Sequence, residues 1–476
     1  MKKFIFLMIT LIAVAGCSVG PDYTKPDTAV PAQYKELQGW REALPRDAEI
    51  KTNWWEDFAD PVLSELVGQV NVSNQNVALA ESQYRQAAAQ AQQARAGYFP
   101  TVGVQGTYTR SQTSSTGHEI TNAYSPALTA SWEVDIWGKV RRQVEAGKAS
   151  AEASFADLAA MRLSMQTEVV LNYYALRMID EQKKNLDQAA LAYGKALELT
   201  QNRYNAGVAA RADVIAARTQ LKSTEAQALD LGVQRAQLEH AIAILTGKPP
   251  AAFTLPVTPF SWPKIAVPVS LPSDLLERRP DIAAAERTMA AANAQIGVAK
   301  AAYYPTLTLS GSLGYSGVEL GNLFTSPHFF WAMGPMVAAA TLFDGGARAA
   351  ATDQARAAYD GAIASYRQTV LSAFQAVEDN LAALRILDEE AQVQKQAVES
   401  ARETVNLTTN QYKAGVVSYL NVVTAQTIAL SNERTAISIE GQRLQAAALL
   451  IKALGGGWKD PAIEAARQPA NTPVKN

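Results

Sequence analysis

One short stretch, YFPTVGVQGTY at residues 98–108, decides the fold of this chain. After Pro100, apolar residues and glycine alternate with small polar ones, a period of two that is typical of a β-strand with one apolar face. The stretch recurs as YYPTLTLSGSL at residues 303–313. The sequence therefore predicts two equivalent strands, at 100–111 and at 305–316.

Each of these strands is followed by a loop and a returning segment. Residues 128–136 read LTASWEVDI, which alternates again and predicts a strand at 124–137. The corresponding strand, at 330–343, alternates too weakly for its faces to be assigned from the sequence. Strands of about ten residues with one polar and one apolar, aromatic-flanked face are typical of a transmembrane β-barrel. A half-buried sheet in a soluble protein produces the same alternation.

The strands belong to a larger internal repeat, with an offset of 205 to 208 residues. NVALAE at 76–81 matches DIAAAE at 281–286, and RYNAGV at 203–208 matches QYKAGV at 411–416. We divide the chain after its first 60 residues accordingly: a first repeat at 61–248, a Pro-rich linker at 249–272, a second repeat at 273–455 and a C-terminal tail at 456–476.

Long stretches of both repeats contain no proline. None occurs between Pro126 and Pro249 or between Pro335 and Pro461, and these stretches are rich in the good helix formers Ala, Gln, Glu, Leu and Arg. They predict two uninterrupted helices, each about 100 Å long at about 1.5 Å per residue. The expected helices are 139–205 and 347–413, with shorter ones at 61–97, 209–246 and 273–301.

The first residues resemble an export signal. Lys2 and Lys3 precede an apolar core of about 11 residues, which is shorter than the roughly 20 needed to span a membrane. The sequence VAGC that ends at Cys17 is a lipobox like that of bacterial lipoprotein precursors. We therefore expect a signal peptide at 1–16 and a lipidated segment at 17–60 that begins with Cys17, the only cysteine. Ser18 is not the aspartate that resembles an inner-membrane retention signal, so the outer membrane is favoured.

Four membrane strands cannot close a barrel alone. Open strand edges in lipid leave backbone groups unpaired, and known barrels start at about eight strands. Each chain is therefore expected to contribute one segment to a shared wall, and a cyclic trimer would give about 12 strands, within the known range.

Composition and motifs exclude several functional classes. The formal net charge is −2 and no basic run suggests binding to nucleic acid. We find no phosphate-binding loop, HExxH motif, paired cysteines or convincing nucleophile elbow. We therefore expect neither catalytic nor metal site, no cofactor beyond the lipid on Cys17, and transport energy supplied by a partner.

Several motifs together resemble the outer-membrane factor family of tripartite efflux systems, the TolC-like channels, and in particular their lipidated OprM/NodT-like branch. The motifs are the lipobox followed by GPDY at 20–23, the two strand entries, WEVDIWGK at 132–139, RRPD at 278–281, LFDGG at 342–346 and the paired turns at 203–208 and 411–416. The resemblance covers nearly the whole chain after Cys17. It implies a mainly α fold with a membrane β segment: a trimeric α-barrel tunnel of 12 helices, a β-barrel of 12 strands and an equatorial belt made from the N-terminal segment, the linker and the tail.

The resemblance also implies roles for residues at the helix turns. The turns at Gly207 and Val208 and at Gly415 and Val416 would form the far periplasmic end, where an adaptor docks. By position, Leu420 matches an apolar constriction. Asp213 and Tyr412 match residues that tie neighbouring coils together, with Lys413 as an ionic partner of Asp213. Asn421 and Thr424 depart from the family pattern, which often has aspartate there, so we expect a gate without an anionic ring.

The resemblance implies a passive exit duct for drugs or other small toxic compounds. Its expected partners are two further copies of the chain, a periplasmic adaptor, an inner-membrane pump of the RND type and the lipid of the outer membrane. Two alternatives stay open from the sequence: an outer-membrane channel for type I protein secretion and a structural coiled-coil lipoprotein.

Overall fold

A computed structural model describes residues 18–26, 30–31, 33–37, 53–112, 120–263, 265 and 278–458. Within these ranges the chain forms seven α-helices and four strands, besides short 3-10 helices. In chain order they are α1 (Pro61–Ser73), α2 (Gln75–Ala96), β1 (Thr101–Gln112), β2 (Ile120–Val134), α3 (Lys139–Asn205), α4 (Arg211–Leu245), α5 (Pro280–Ala301), β3 (Thr306–Tyr315), β4 (Phe329–Ala339), α6 (Ala347–Lys413) and α7 (Tyr419–Ala453).

The two long helices have the bounds that the proline map predicts. Each contains 67 residues, so each extends for about 100 Å. In the described part of the chain, no helix combines the length and the apolar character that crossing a membrane would require.

The prediction of a single helix at 61–97 is wrong, because the helix breaks at Asn74. The Asn74 side chain accepts hydrogen bonds from the backbone N–H groups of Asn76 and Val77, at 2.9 and 3.1 Å. Its amide donates to the carbonyl oxygen of Leu245 at 2.8 Å. An asparagine that caps the following turn in this way offers the backbone an alternative to a continuous helix.

Two strands end earlier than predicted. β2 ends at Val134 rather than 137, because Asp135 caps the next helix: its carboxylate accepts from the N–H groups of Val140 and Arg141, both at 2.9 Å. β4 ends at Ala339 rather than 343.

The chain divides into two compact units, and each contains parts of both repeats. The first unit contains the described residues of 1–28, 82–156 and 284–368, and its strands form one antiparallel sheet in the order β1-β2-β3-β4.

The second unit contains the described residues of 29–81, 157–283 and 369–476. Its core surrounds Tyr173 and Tyr174, whose side chains are fully buried. Trp54 and Phe58 from the N-terminal segment pack there, and so do residues from the linker and from the end of α7. These include Leu255, Phe260, Trp262, Leu450 and Leu454. Segments that the resemblance assigns to a belt therefore share one core, while the tail at 459–476 lies outside the described residues.

Candidate functional site

The strand register places apolar side chains from all four strands on one face of the sheet. Val104 of β1 lies opposite Leu128 of β2, which lies opposite Leu313 of β3, which in turn lies opposite Trp331 of β4. The neighbouring row contains Val102, Ala130, Gly311 and Met333. Such a continuous apolar face needs an apolar environment.

A bulge explains why the faces of β4 could not be assigned from the sequence. Leu309 pairs with Met336 and Gly311 pairs with Met333, so two residues of β4, Gly334 and Pro335, stand opposite Ser310 alone. An inserted residue reverses the alternation of the strand. The apolar face therefore carries odd-numbered residues before the bulge and even-numbered residues after it.

Apolar side chains on this face are left uncovered by the described part of the chain. The exposed fractions are 83% for Val104, 73% for Trp331 and 90% for Met333. Because β1 and β4 are the outer strands, each presents one edge without a strand partner in the described sheet. Unpaired edges are stable only where another strand or water satisfies them.

Two equivalent turns join the long helices to the returning helices. Gly207 and Gly415 adopt φ values of +74° and +79°, a left-handed conformation in which glycine ends a helix without strain. The next residues close the turns, with Val208 N–H donating to Arg203 O at 2.8 Å and Val416 N–H donating to Gln411 O at 2.9 Å. Val208 and Val416 are both exposed, so two apolar side chains lie at the turns.

Beside these turns is a group of residues that we call the turn cluster: Arg203, Tyr412, Tyr419, Ala217 and Val422. The two tyrosine rings are 5.2 Å apart at their centroids, and both side chains are nearly fully buried. The Arg203 guanidinium lies 4.8 Å from the centroid of the Tyr412 ring and donates to the Lys413 carbonyl oxygen at 2.9 Å. Within the described chain, neither tyrosine hydroxyl has a hydrogen-bond partner.

The turn cluster also perturbs the ionisation of Tyr419. Burial raises the pKa of Tyr419 to about 12, with further contributions from Tyr412, Tyr193 and the negative charge of Asp213. Asp213 is half-buried, and the role expected of it in tying neighbouring coils together stays a prediction.

Lys413 does not form the expected pair with Asp213 within the chain. Its side chain is exposed, and among the described residues it makes no ion pair with a carboxylate. The cation that contacts the tyrosine pair is Arg203 instead. Lys413 contributes its backbone carbonyl, which accepts from Arg203.

The other residues predicted for the gate lie on the first turns of α7. Leu420 is 64% exposed, and its carbonyl oxygen accepts from the Thr424 hydroxyl at 2.9 Å. The Asn421 side chain accepts from the Ser418 hydroxyl at 2.9 Å. No carboxylate stands at either of the two departing positions, Asn421 and Thr424.

Sequence reasoning missed Arg203 and Tyr419. Arg203 was visible as the first residue of RYNAGV, but nothing in the motif indicates that its side chain reaches the other helix pair. The position of Tyr419, seven residues after Tyr412, becomes meaningful only when the turn folds the second ring onto the first.

The predicted lipidation site, Cys17, lies outside the described residues. The residues that follow it pack firmly in the first unit. Val19 N–H donates to Trp137 O at 3.1 Å, and the carboxylate of Asp22 accepts from the guanidinium of the buried Arg142 at 2.7 Å.

Comparison with known proteins places this architecture in one family. The family described as outer membrane efflux protein matches residues 66–248 and 271–456, most of the chain. Among curated relatives, the probable efflux pump outer membrane protein TtgC of Pseudomonas putida is 30% identical over 477 residues, with 98% of each chain covered. The pyoverdine export outer membrane protein OpmQ of Pseudomonas aeruginosa is 30% identical over 475 residues, covering 96% of this chain and 97% of that relative.

Solved structures of outer-membrane channels match the same architecture. The outer-membrane channel OprN matches with a TM-score of 0.88 and 30% identity, over 93% of this chain and 100% of that one. The open state of the MtrE outer membrane channel of Neisseria gonorrhoeae matches with a TM-score of 0.83 and 29% identity, over 93% and 99%. The chain therefore belongs to the outer membrane efflux protein family and acts as an outer-membrane channel in efflux.

Proposed function

We propose that three copies of this chain form a closed, passive duct, with no catalysis of its own, through which an inner-membrane pump expels small molecules. The single observation that carries the proposal is the four-stranded sheet, which has an uncovered apolar face and two open edges. In lipid those edges must be paired, whereas the apolar face is stable there.

The direction of the strands supports a ring of identical copies. An even number of antiparallel strands means that β1 and β4 run in opposite directions. When β4 of one copy lies beside β1 of the next, the new pair is again antiparallel, so the same joint can repeat around a ring. Three copies would give the roughly 12 strands that lie within the range of known barrels.

We propose that the turn cluster and Leu420 form the gate. Asp213 and Tyr412 hold the helix pairs together, and Leu420 narrows the aperture, with Asn421 and Thr424 beside it. The contact of Arg203 with the Tyr412 ring and with the Lys413 carbonyl oxygen supports this role, because it joins the two helix pairs beside the turns. The exposed turns at Gly207 and Val208 and at Gly415 and Val416 would receive the periplasmic adaptor.

We infer that Cys17 carries covalent lipid in the outer membrane. The lipobox that ends at Cys17 supports this inference, and Val19, two residues later, donates to the carbonyl oxygen of Trp137 just after β2. A covalent acyl chain contributes about 0.8 kcal/mol for each buried methylene group, so several chains on one residue anchor it firmly.

The cargo is proposed from the relatives. Their names refer to efflux of toluene, solvents and antibiotics and to export of pyoverdine, all small molecules. We therefore infer partnership with an RND-type pump and its adaptor rather than with a protein exporter.

Three measurements test the proposal. The mass of the purified protein in detergent should correspond to three chains, and the same sample should conduct in planar bilayers. Deletion of the gene should sensitise cells to drugs or solvents without loss of a secreted protein. A single chain without conductance would refute the duct, and loss of a secreted protein alone would indicate type I secretion.

A further inference from the structure

The second unit contains a polar groove to which no function has been assigned. It lies among α3, α4 and α7 and has a volume of about 470 Å³. Apart from Leu430, every side chain that lines it is a glutamine, a serine, a threonine or Arg434. This volume lies within the range of about 300–1,000 Å³ that small-molecule sites occupy, and a lining more polar than is usual for such sites favours a polar ligand.

Arg434 is the only charged residue of the groove, and its charge is not neutralised. In the part of the chain that the structure describes, no carboxylate forms an ion pair with it. The neighbouring Glu433 is engaged elsewhere, accepting from Asn185 at 2.7 Å and from Arg402 at 2.6 Å. The groove therefore carries one net positive charge.

The guanidinium also has donors to spare. One terminal nitrogen, Nη1, donates to Gln227 Oε1 at 3.0 Å, and the other, Nη2, has no hydrogen-bond partner among the described residues. A guanidinium is the group best suited to bind a carboxylate through two parallel hydrogen bonds. The arrangement fits an anionic oxygen ligand.

The groove shares a helix face with the proposed constriction. Leu420, Thr424, Thr427, Ser431 and Thr435 follow one another at intervals of three or four residues along α7, so they lie on one side of the helix. Arg434 is 14 residues from Leu420, about 21 Å along the axis at about 1.5 Å per residue. If the Leu420 face borders the bore, the groove does so as well.

We propose that this groove is a binding site for anionic solutes, in which Arg434 holds a carboxylate and the surrounding glutamine, serine and threonine side chains bind the amide, hydroxyl or carbonyl groups of the same molecule. The inference rests on the proposed duct, in which such a site meets the solutes that pass. It makes anionic compounds a preferred class of cargo for this chain.

The test uses the purified full-length protein in detergent at low ionic strength. Binding of carboxyfluorescein, an anionic dye, is followed by fluorescence anisotropy, and rhodamine 6G serves as a cationic dye of similar size. Saturable carboxyfluorescein binding is expected, and Arg434→Gln should weaken it about tenfold or more, since charge-assisted hydrogen bonds are lost. Arg434→Lys keeps the charge but not the paired donors. Its affinity for carboxyfluorescein should therefore fall between those of the unaltered protein and Arg434→Gln.

Arg443→Gln is the matched control. It makes the same change of charge on the same helix, but Arg443 lies outside the groove and pairs with Asp388 and Glu440. Its carboxyfluorescein affinity should equal that of the unaltered protein, and rhodamine binding should be the same in all four proteins. Absence of saturable binding, or equal affinity in Arg434→Gln and Arg443→Gln, would overturn the site.

The mass and the conductance of the same samples distinguish a failure of the groove site from a failure of the proposed duct. A conducting trimer without selective dye binding would refute the groove site alone. A non-conducting single chain would refute the duct, whatever its dye binding.

Discussion

The Arg203 guanidinium, near the end of α3, lies 4.8 Å from the centroid of the Tyr412 ring, near the end of α6. The same guanidinium donates to the carbonyl oxygen of Lys413 at 2.9 Å. Because α3 and α6 come from different repeats, this contact ties the two helix hairpins together within one chain.

Removal of this contact should loosen the turns. A cation–π contact contributes about 0.5–1 kcal/mol at an exposed site, and a charge-assisted hydrogen bond about 1.5–3 kcal/mol. We expect Arg203→Ala to raise the open probability in planar bilayers and the sensitivity of cells to vancomycin. Arg211→Ala removes an exposed arginine of the same turn and is the control. If the two variants behaved alike, the contact would have no part in closure.

Alanine substitutions of Asp213 and of Lys413 should have different effects on closure of the channel. Asp213 is half-buried and its negative charge acts on Tyr419, whereas Lys413 is exposed and forms no ion pair within the described chain. We expect Asp213→Ala to raise conductance or vancomycin sensitivity and Lys413→Ala to change neither. An equal effect of Lys413→Ala would indicate that its side chain pairs with a neighbouring copy.

The raised pKa of Tyr419 predicts a loss of stability in alkali. The ordinary pKa of 10.0 applies in the unfolded chain, whereas burial raises the pKa to about 12 in the folded chain. The folded state therefore favours the neutral phenol. Its contribution is fully present below pH 10 and is lost as the pH rises from 10 towards 12.

This loss can be measured as the melting temperature between pH 8 and 11.5. Tyr419→Phe should lessen the decline above pH 10, because phenylalanine cannot ionise. Part of the decline should stay, because burial also raises the pKa values of Tyr173 and Tyr174. Tyr204→Phe alters an exposed tyrosine of the first turn and should leave the decline unchanged. Identical curves for the unaltered protein and Tyr419→Phe would contradict the shifted pKa.

The register of β4 leads to a prediction about assembly. Met333 lies on the apolar face and its neighbour Ala332, paired with Ser312, lies on the other. We expect Met333→Lys to reduce the yield of assembled oligomer, since a lysine facing the middle of the bilayer costs about 2–4 kcal/mol. Ala332→Lys should assemble normally. The reverse outcome would mean that the faces are exchanged.

Local patterns were sufficient to predict the long helices, the four strands and the faces of three of those strands. The helix 139–205 has no proline and abundant helix formers, so its bounds follow from nearby residues. The break at Asn74 could not be predicted in this way, because its amide is held by Leu245, which is 171 residues away along the chain.

The functional residues also divide into those that local sequence patterns reveal and those that depend on contacts between distant residues. Gly207 and Gly415 were found because a turn requires a left-handed conformation and the motif repeats. Arg203 and Arg434 were not, because their importance depends on which side chains meet across helices. The faces of β4 were hidden by the bulge at Gly334 and Pro335, which reverses the alternation halfway along the strand.

The two open edges of the sheet are chemically different, since one belongs to β1 and the other to β4. In a ring, each copy must therefore offer its β1 edge to one neighbour and its β4 edge to the other, a head-to-tail joint rather than a self-complementary one. A copy damaged only along β4 would still be accepted through β1 and would then prevent the ring from closing. Such an allele would be dominant in a cell that also makes the intact chain, whereas complete loss of the gene product would be recessive.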